Sequence, residues 1–219
     1  MFRRSSQPSP AAVPESDPIP TTTTTTTTIK TYHVVNQHTF RQNRLEIHHD
    51  SHPILWTTTR SKLFKPPQIT LHTDSQTGPV VAACKLKTWS CDIEICLGEP
   101  DQTGANFERV TSESWMNKSY RFHDVDGRAY RWKRTHSKDL GASRWGSKDF
   151  KLVDGEASGA VLAVFVHTQS VFGRLHQVAR IEYFVDMSRE LELASLAAIL
   201  GIEEVIAQAE RSAAAGGGG

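Results

Sequence analysis

Cysteine is scarce: Cys84, Cys91 and Cys96 are the only three in 219 residues. An odd, sparse set is not a disulfide framework, and Cys91 with Cys96 lacks the second pair that a zinc site needs. Their expected role is that of small buried hydrophobes in strands, kept reduced. Long apolar runs are missing too. The longest uncharged one, Leu193 to Ile202, falls well short of the roughly 20 residues that span a bilayer, so no transmembrane segment is expected. Charge of one sign is not in excess: 25 Lys and Arg stand against 24 Asp and Glu. No global field demands a nucleic acid. The opening stretch MFRRSSQPSPAAVPESDP has no apolar core, so a secretory signal is not expected. Glu15, Asp17 and the prolines do not suit an amphipathic presequence. A nucleophile elbow, a P-loop, a Rossmann glycine pattern and a zincin motif are all absent. The expectation is a cytoplasmic, non-catalytic protein without a cofactor.

The residues present divide the chain in three. Residues 1–28 hold five prolines and a run of eight threonines. They offer too little apolar area to offset the entropy of ordering and are expected to be a disordered tail. Residues 212–219, a small-residue and glycine stretch, are expected to be a second one. Residues 31–211 form the ordered domain. Up to Asp186 the pattern is β-rich and punctuated, with about twelve candidate strands. These are Thr31–Val35, Arg44–Ile47, Pro53–Thr59, Gln68–Thr73, Val80–Lys87, Trp89–Leu97, Asn106–Thr111, Ser119–His123, Arg128–Lys133, Asp149–Val153, Ala160–His167 and Leu175–Val185. Alternation is clear in Tyr130-Arg131-Trp132-Lys133, with rings on one face and cations on the other. Asp126-Gly127 suggests a two-residue hairpin turn, because glycine tolerates positive φ.

The last element is different. Ser188 to Glu210 are strong helix formers without proline, Ser188 is a suitable N-cap, and Glu190 and Glu192 suit the positive end of the helix dipole. In the middle, LASLAAILGI, apolar residues surround the whole helix. Such a helix must be buried on every side. One sheet would leave half of it wet, whereas a closed barrel threaded by the helix would not. The expected fold is mainly β: an antiparallel barrel of about twelve strands around a buried hydrophobic C-terminal helix.

That order of elements resembles the tubby C-terminal-like fold shared by tubby proteins, phospholipid scramblases and LURP-one-related proteins. Its texture is most similar to that of the small fungal tubby C-terminal-domain-like proteins. The segments carrying the resemblance are PILWTTTRSKLFKPPQITLH, RFHDVDGRAYRWKR, FKLVDGEASGAVLAVFV and RIEYFVDMSRELELASLAAILGIEEVI. It covers residues 31–211 and implies fold more than activity. Tubby proteins bind phosphoinositides, so the resemblance implies a non-catalytic binding or adaptor module. Its partner would be anionic phospholipid or another protein, and it would lie peripherally at a membrane. The alternative is a scramblase-like phospholipid-handling membrane protein. The clustered cysteines that scramblases carry before the barrel are missing here. An enzyme with a pocket at the barrel mouth is a third class, but no residue pair supports it, and the helix should fill the interior.

Two motifs suggest metals and are better read otherwise. HHDSH, with His48, His49 and His52 around Asp50, reads as an exposed polar turn. Asp124 and Asp126 lack the closing glutamate of a calcium loop, because position 135 is Thr135. No metal site is expected. Two basic strips carry more weight. Ser119–Arg134 sets five cations against two carboxylates, and Thr58–Lys87 sets five against one, while the helix and its flank are acidic. Lys85 and Lys87 share one face of a strand, as do Arg131 and Lys133. Those four residues are the candidate lipid-binding site.

Overall fold

The computed structural model describes residues 27–39, 42–50, 52–60, 68–87, 91–113, 119–143, 148–155, 159–172 and 175–216. The expected tail up to residue 26 lies outside the described residues, as do 217–219. Twelve strands follow one another: β1 (Lys30–Thr39), β2 (Gln42–His49), β3 (His52–Arg60), β4 (Gln68–His72), β5 (Val80–Leu86) and β6 (Ile93–Leu97). Then come β7 (Glu108–Ser112), β8 (Ser119–His123), β9 (Ala129–Arg134), β10 (Phe150–Asp154), β11 (Val161–Phe172) and β12 (Leu175–Tyr183), before the helix α1 (Arg189–Gly216). Each strand pairs antiparallel with its neighbours in sequence, and β12 pairs with β1 to close the barrel. Among the described residues, closure leaves no open sheet edge.

The side-chain period of two gives every strand an inner and an outer row. The inner row is apolar and faces α1. Leu193, Leu196, Ile199, Leu200 and Ile202 are all buried, as an all-apolar helix requires. The helix packs closest to β4, β5 and β6. There the inner row of β5 is small, with Ala82 and Cys84. Across the barrel the gap is wider and is filled by Tyr120, Phe122, Trp132, Phe150 and Phe165. Small residues where the helix is near and rings where it is far keep the interior dense. Cys84 and Cys96 are buried and Cys91 half-buried, all as thiols. Burial pushes the Cys84 and Cys96 thiols up.

The structure departs from the sequence reading at several points, among them the burial of His48 within β2, where an exposed turn was expected. The helix runs to Gly216, past the end expected at Glu210 and into the expected tail of residues 212–219, and its last turns are exposed. The three alanines of SAAA suit a helix and continue it. The β8–β9 turn holds five residues instead of two: His123 pairs with Ala129. Asp124 Oδ1 accepts from the N–H groups of Asp126 and Arg128 at 3.0 and 2.9 Å, and Gly127 takes φ 80°. The helix also carries buried polar groups. Ser195 Oγ donates to Glu192 O (2.8 Å) and meets Tyr183 Oη (3.0 Å), while Trp132 Nε1 donates to Ser195 O (3.2 Å). The N-cap is as read: Leu191 N–H donates to Ser188 Oγ at 3.2 Å.

Candidate functional site

Alternation along β5 and β9 turns Lys85, Lys87, Arg131 and Lys133 outward, since their neighbours Cys84, Leu86, Tyr130 and Trp132 fill the interior. Strand count then decides whether they meet. From β5 to β9 is four steps of twelve, a third of the way round the wall. At about 4.8 Å per strand the two pairs stand about 19 Å apart along the sheet. The structure brings Lys85 together with Lys87, and Arg131 with Lys133, but does not join the two pairs.

Their surroundings differ. Lys87 Nζ lies 2.5 Å from Glu94 Oε1, and Lys85 sits opposite Glu94 in register with its ammonium 3.7 Å from the Phe107 ring centroid. Both charges, Lys85 on β5 and Lys87 just after it, are answered locally by a carboxylate or a π face. On β9, Arg131 Nε lies 3.3 Å from Glu113 Oε2, and Arg121 on β8 also pairs with Glu113. One carboxylate thus serves two guanidinium groups. Lys133 stands directly opposite Lys151 on β10. Like charges facing each other across strands repel, and neither ammonium has an ion-pair partner among the described residues. The sequence reading missed Lys151. Its outward position was signalled by alternation in Phe150-Lys151-Leu152, but its meeting with Lys133 depends on a register across the long β9–β10 connection. Lys62 and Lys65 of the other basic strip lie outside the described residues.

The two mouths of the barrel have their own chemistry. At the N-terminal end of α1 a cavity of about 460 Å³ is lined by Leu97, Glu108, His123, Asp126, Glu190 and Leu191, among others. His123 Nδ1 and Glu108 Oε1 are 2.9 Å apart. Beside this mouth Glu192 anchors the helix to the wall: it accepts from Lys30 Nζ (2.7 Å), Tyr32 Oη (2.6 Å) and Arg189 (2.8 Å). Burial raises the pKa of Glu192, but the donors Lys30 and Tyr32 and the charges of Lys30 and Arg189 outweigh it and hold the carboxyl below its usual range. Burial, then Glu192 itself, pushes the Tyr32 phenol up. The cluster is internally satisfied, which marks it as structural.

At the other mouth a cavity of about 320 Å³ lies between α1 and strands β1–β4, β11 and β12. His167 stands at its rim, with Nε2 2.7 Å from Glu203 Oε2 and Nδ1 3.4 Å from Asp149 Oδ1. Burial lowers the pKa of His167, but the hydrogen bond and charge of Glu203, with those of Asp149, raise it overall. The histidines of HHDSH do not converge. His48 is buried against Glu46 on the outer wall (2.9 Å), whereas His49 is exposed and bonds to Thr31 O (3.1 Å). Among the described residues no group of three or more His, Cys, Asp or Glu is placed to hold a metal ion.

Among the described residues, no helix is long and apolar enough to cross a membrane. No curated protein and no solved structure matches the chain. A family model does match, over residues 16–197, which is most of the chain. The chain therefore belongs to that family, DUF6593, a family of unknown function.

Proposed function

We propose that this barrel, of the tubby C-terminal-like class, is a non-catalytic cytoplasmic binding module that docks reversibly on anionic lipid, phosphoinositide included, through the outer wall of β8–β10. The carrying observation is the juxtaposition of Lys133 and Lys151 without a counter-charge among the described residues, flanked by Arg131 and Arg121 sharing Glu113. An anionic headgroup relieves that repulsion. Each Lys or Arg near an anionic membrane contributes about 1 kcal/mol. Four cations less one carboxylate therefore give about 3 kcal/mol before screening, enough for weak attachment and too little for insertion. The Lys85 and Lys87 pair, already answered by Glu94 and Phe107, adds little. Co-sedimentation with vesicles of neutral lipid, and with the same lipid doped with phosphatidylserine or phosphoinositide, tests this. Binding should require anionic lipid, weaken steeply with salt, and be lost in Lys133→Glu/Lys151→Glu but kept in Lys85→Glu/Lys87→Glu. Absence of wild-type binding at low salt, or equal loss in both double variants, sinks the proposal in favour of a protein partner.

A further inference from the structure

The end of the barrel where α1 begins gathers the exposed apolar side chains. Ile29, Val125 and Val185 are the large apolar residues exposed among those described. Single exposed apolar residues are ordinary on a protein surface, but these three share one end. Ile29 precedes β1 with its N–H on Tyr183 O (2.8 Å), Val185 follows β12, and Val125 lies in the β8–β9 turn. The antiparallel meander sets all three at the end where α1 starts. Beside Val125 the cavity of about 460 Å³ opens between that turn, β6 and the first turns of α1, with Ile95, Leu97, Leu191 and Ala194 as apolar lining.

Charge at this end is acidic. Glu108, Asp124, Asp126 and Glu190 line the cavity, and no lysine or arginine stands among the lining residues described. Glu108 is held by His123, and Asp124 by the turn amides. Asp126 and Glu190 are exposed, and neither carboxylate has a hydrogen-bond or ion-pair partner among the described residues. The nearby cations are engaged elsewhere: Lys30 and Arg189 pair with Glu192, and Arg128 with Asp154. The positive end of the α1 dipole amounts to about half a charge, too little to offset these carboxylates.

We infer that this end of the barrel binds an extended basic peptide of a partner protein, with an apolar side chain of the peptide in the cavity against Val125 and Leu191 and its Lys or Arg side chains at Asp126 and Glu190. Both carboxylates are open to solvent, and separate side chains meet them, so no single group has to reach both. The spread of the apolar residues favours a peptide over a small molecule. β1 and β8 stand five steps apart among twelve strands, on nearly opposite sides of the mouth. Twelve strands at about 4.8 Å enclose a mouth about 20 Å across, which about six residues of extended chain span. An acidic surface repels an anionic membrane, so lipid is not the occupant. The lipid-docking residues Lys133 and Lys151 lie toward the opposite end of β9 and β10, which keeps the two sites separate.

The test uses the full chain and fluorescence anisotropy with a short labelled peptide that alternates arginine with leucine and phenylalanine. One control peptide carries glutamate in place of arginine, and the other carries serine in place of the apolar residues. The basic apolar peptide should bind saturably, one per chain, and weaken with salt. Both controls should bind at least about tenfold more weakly. Asp126→Lys/Glu190→Lys should weaken the basic apolar peptide at least about tenfold, and so should Asn106→Trp, which sets an indole at the cavity lining. Both variants change exposed residues, and circular dichroism checks their fold. The vesicle-defective Lys133→Glu/Lys151→Glu variant should bind the peptide no less tightly than the wild type, so failure of one reading is distinguishable from failure of the other. No binding to the wild type, equal affinity for the serine control, or unchanged affinity in either folded variant would each overturn the assignment. Free argininamide binding as tightly as the peptide would overturn it too, in favour of a small cation. The wild-type comparisons decide the matter even where a variant fails to fold.

Discussion

Glycine in a helix interior costs roughly 1 kcal/mol relative to alanine, yet Gly201 sits in the middle of α1. The reason is the wall beside it. A Cβ at Gly201 would collide with Cys84 Sγ and come within 3.0 Å of Ile93 Cγ2. Gly201 lets α1 lie close to β5 and β6, and Cys84 is the small inward residue that accepts it. Gly201→Val should therefore destabilise the barrel by about 1–3 kcal/mol through overpacking, lowering the urea midpoint without changing the fold. A midpoint equal to that of the wild type would show that the helix has room to shift. Residue by residue, the sequence was readable where one property sufficed. Leu196 and Ile199 are buried because they are apolar and their neighbours on every side are too. Glu192 and Ser195 were harder. An acid in the first turn of a helix has a ready reading in the helix dipole, which hides its meeting with Lys30 and Tyr32. Those partners are 162 and 160 residues away in sequence.

At the scale of elements, α1 is held at two ends by different means. Its N-terminal turn is fixed by the Glu192 cluster, and its second half is tied to β11 by His167, which reaches Glu203 on the helix and Asp149 before β10. Asp149 is itself fixed, accepting from the N–H groups of His167 and Ser143 at 2.9 and 2.7 Å. This tie titrates. The pKa of His167 is raised above its ordinary 6.5 in the folded protein. Its charged form thus adds stability that is fully present below about pH 6.5 and is lost as pH rises through the higher folded value. Side-chain exposure of 36% means solvent screens the pair, so the effect is modest in size but definite in sign. Urea midpoints of the wild type and His167→Gln should converge as pH rises past that window, with the wild type gaining below it. Parallel curves across the window would show that the ion pair does not contribute. The twelve strands were legible as elements because alternation and turn residues repeat along the chain. The helix end was not, since SAAA is equally compatible with a helix and with a tail.

The whole molecule is a meander in which neighbours in sequence are neighbours in space, except at the seam where Lys30 meets Tyr183. That simplicity is why the barrel could be inferred: hairpins give the order of strands, and an all-apolar helix demands closure around it. Positions around the wall could not be inferred the same way. Alternation says that Lys87 and Arg131 both point outward, but only the strand count shows them a third of the circumference apart. The same global dependence governs folding. Long-range closure is entropically costly and slow, and the interior it encloses is filled by an element that follows all twelve strands in the chain. Leu196, Ala197, Ala198, Ile199 and Ile202 are all fully buried. Without them the inner rows of Tyr120, Phe122, Trp132 and Phe165 would surround a void far larger than a single deleted side chain leaves, and each Leu→Ala cavity alone costs about 2–5 kcal/mol. Leu196, Ile199 and Ile202 alone would together cost about 6–15 kcal/mol on that scale, as much as the whole stability of a typical domain, about 5–15 kcal/mol. A chain ending at Met187 should accordingly fail to form the barrel, appearing as an insoluble product or as a collapsed state without a cooperative thermal transition or dispersed methyl resonances. Leu196→Asp in the full chain should do the same, because it places an unpaired charge in that interior. A truncated chain that unfolded cooperatively, with native-like dispersion, would mean that the wall closes on its own inner rings and that α1 is an insert instead of the core.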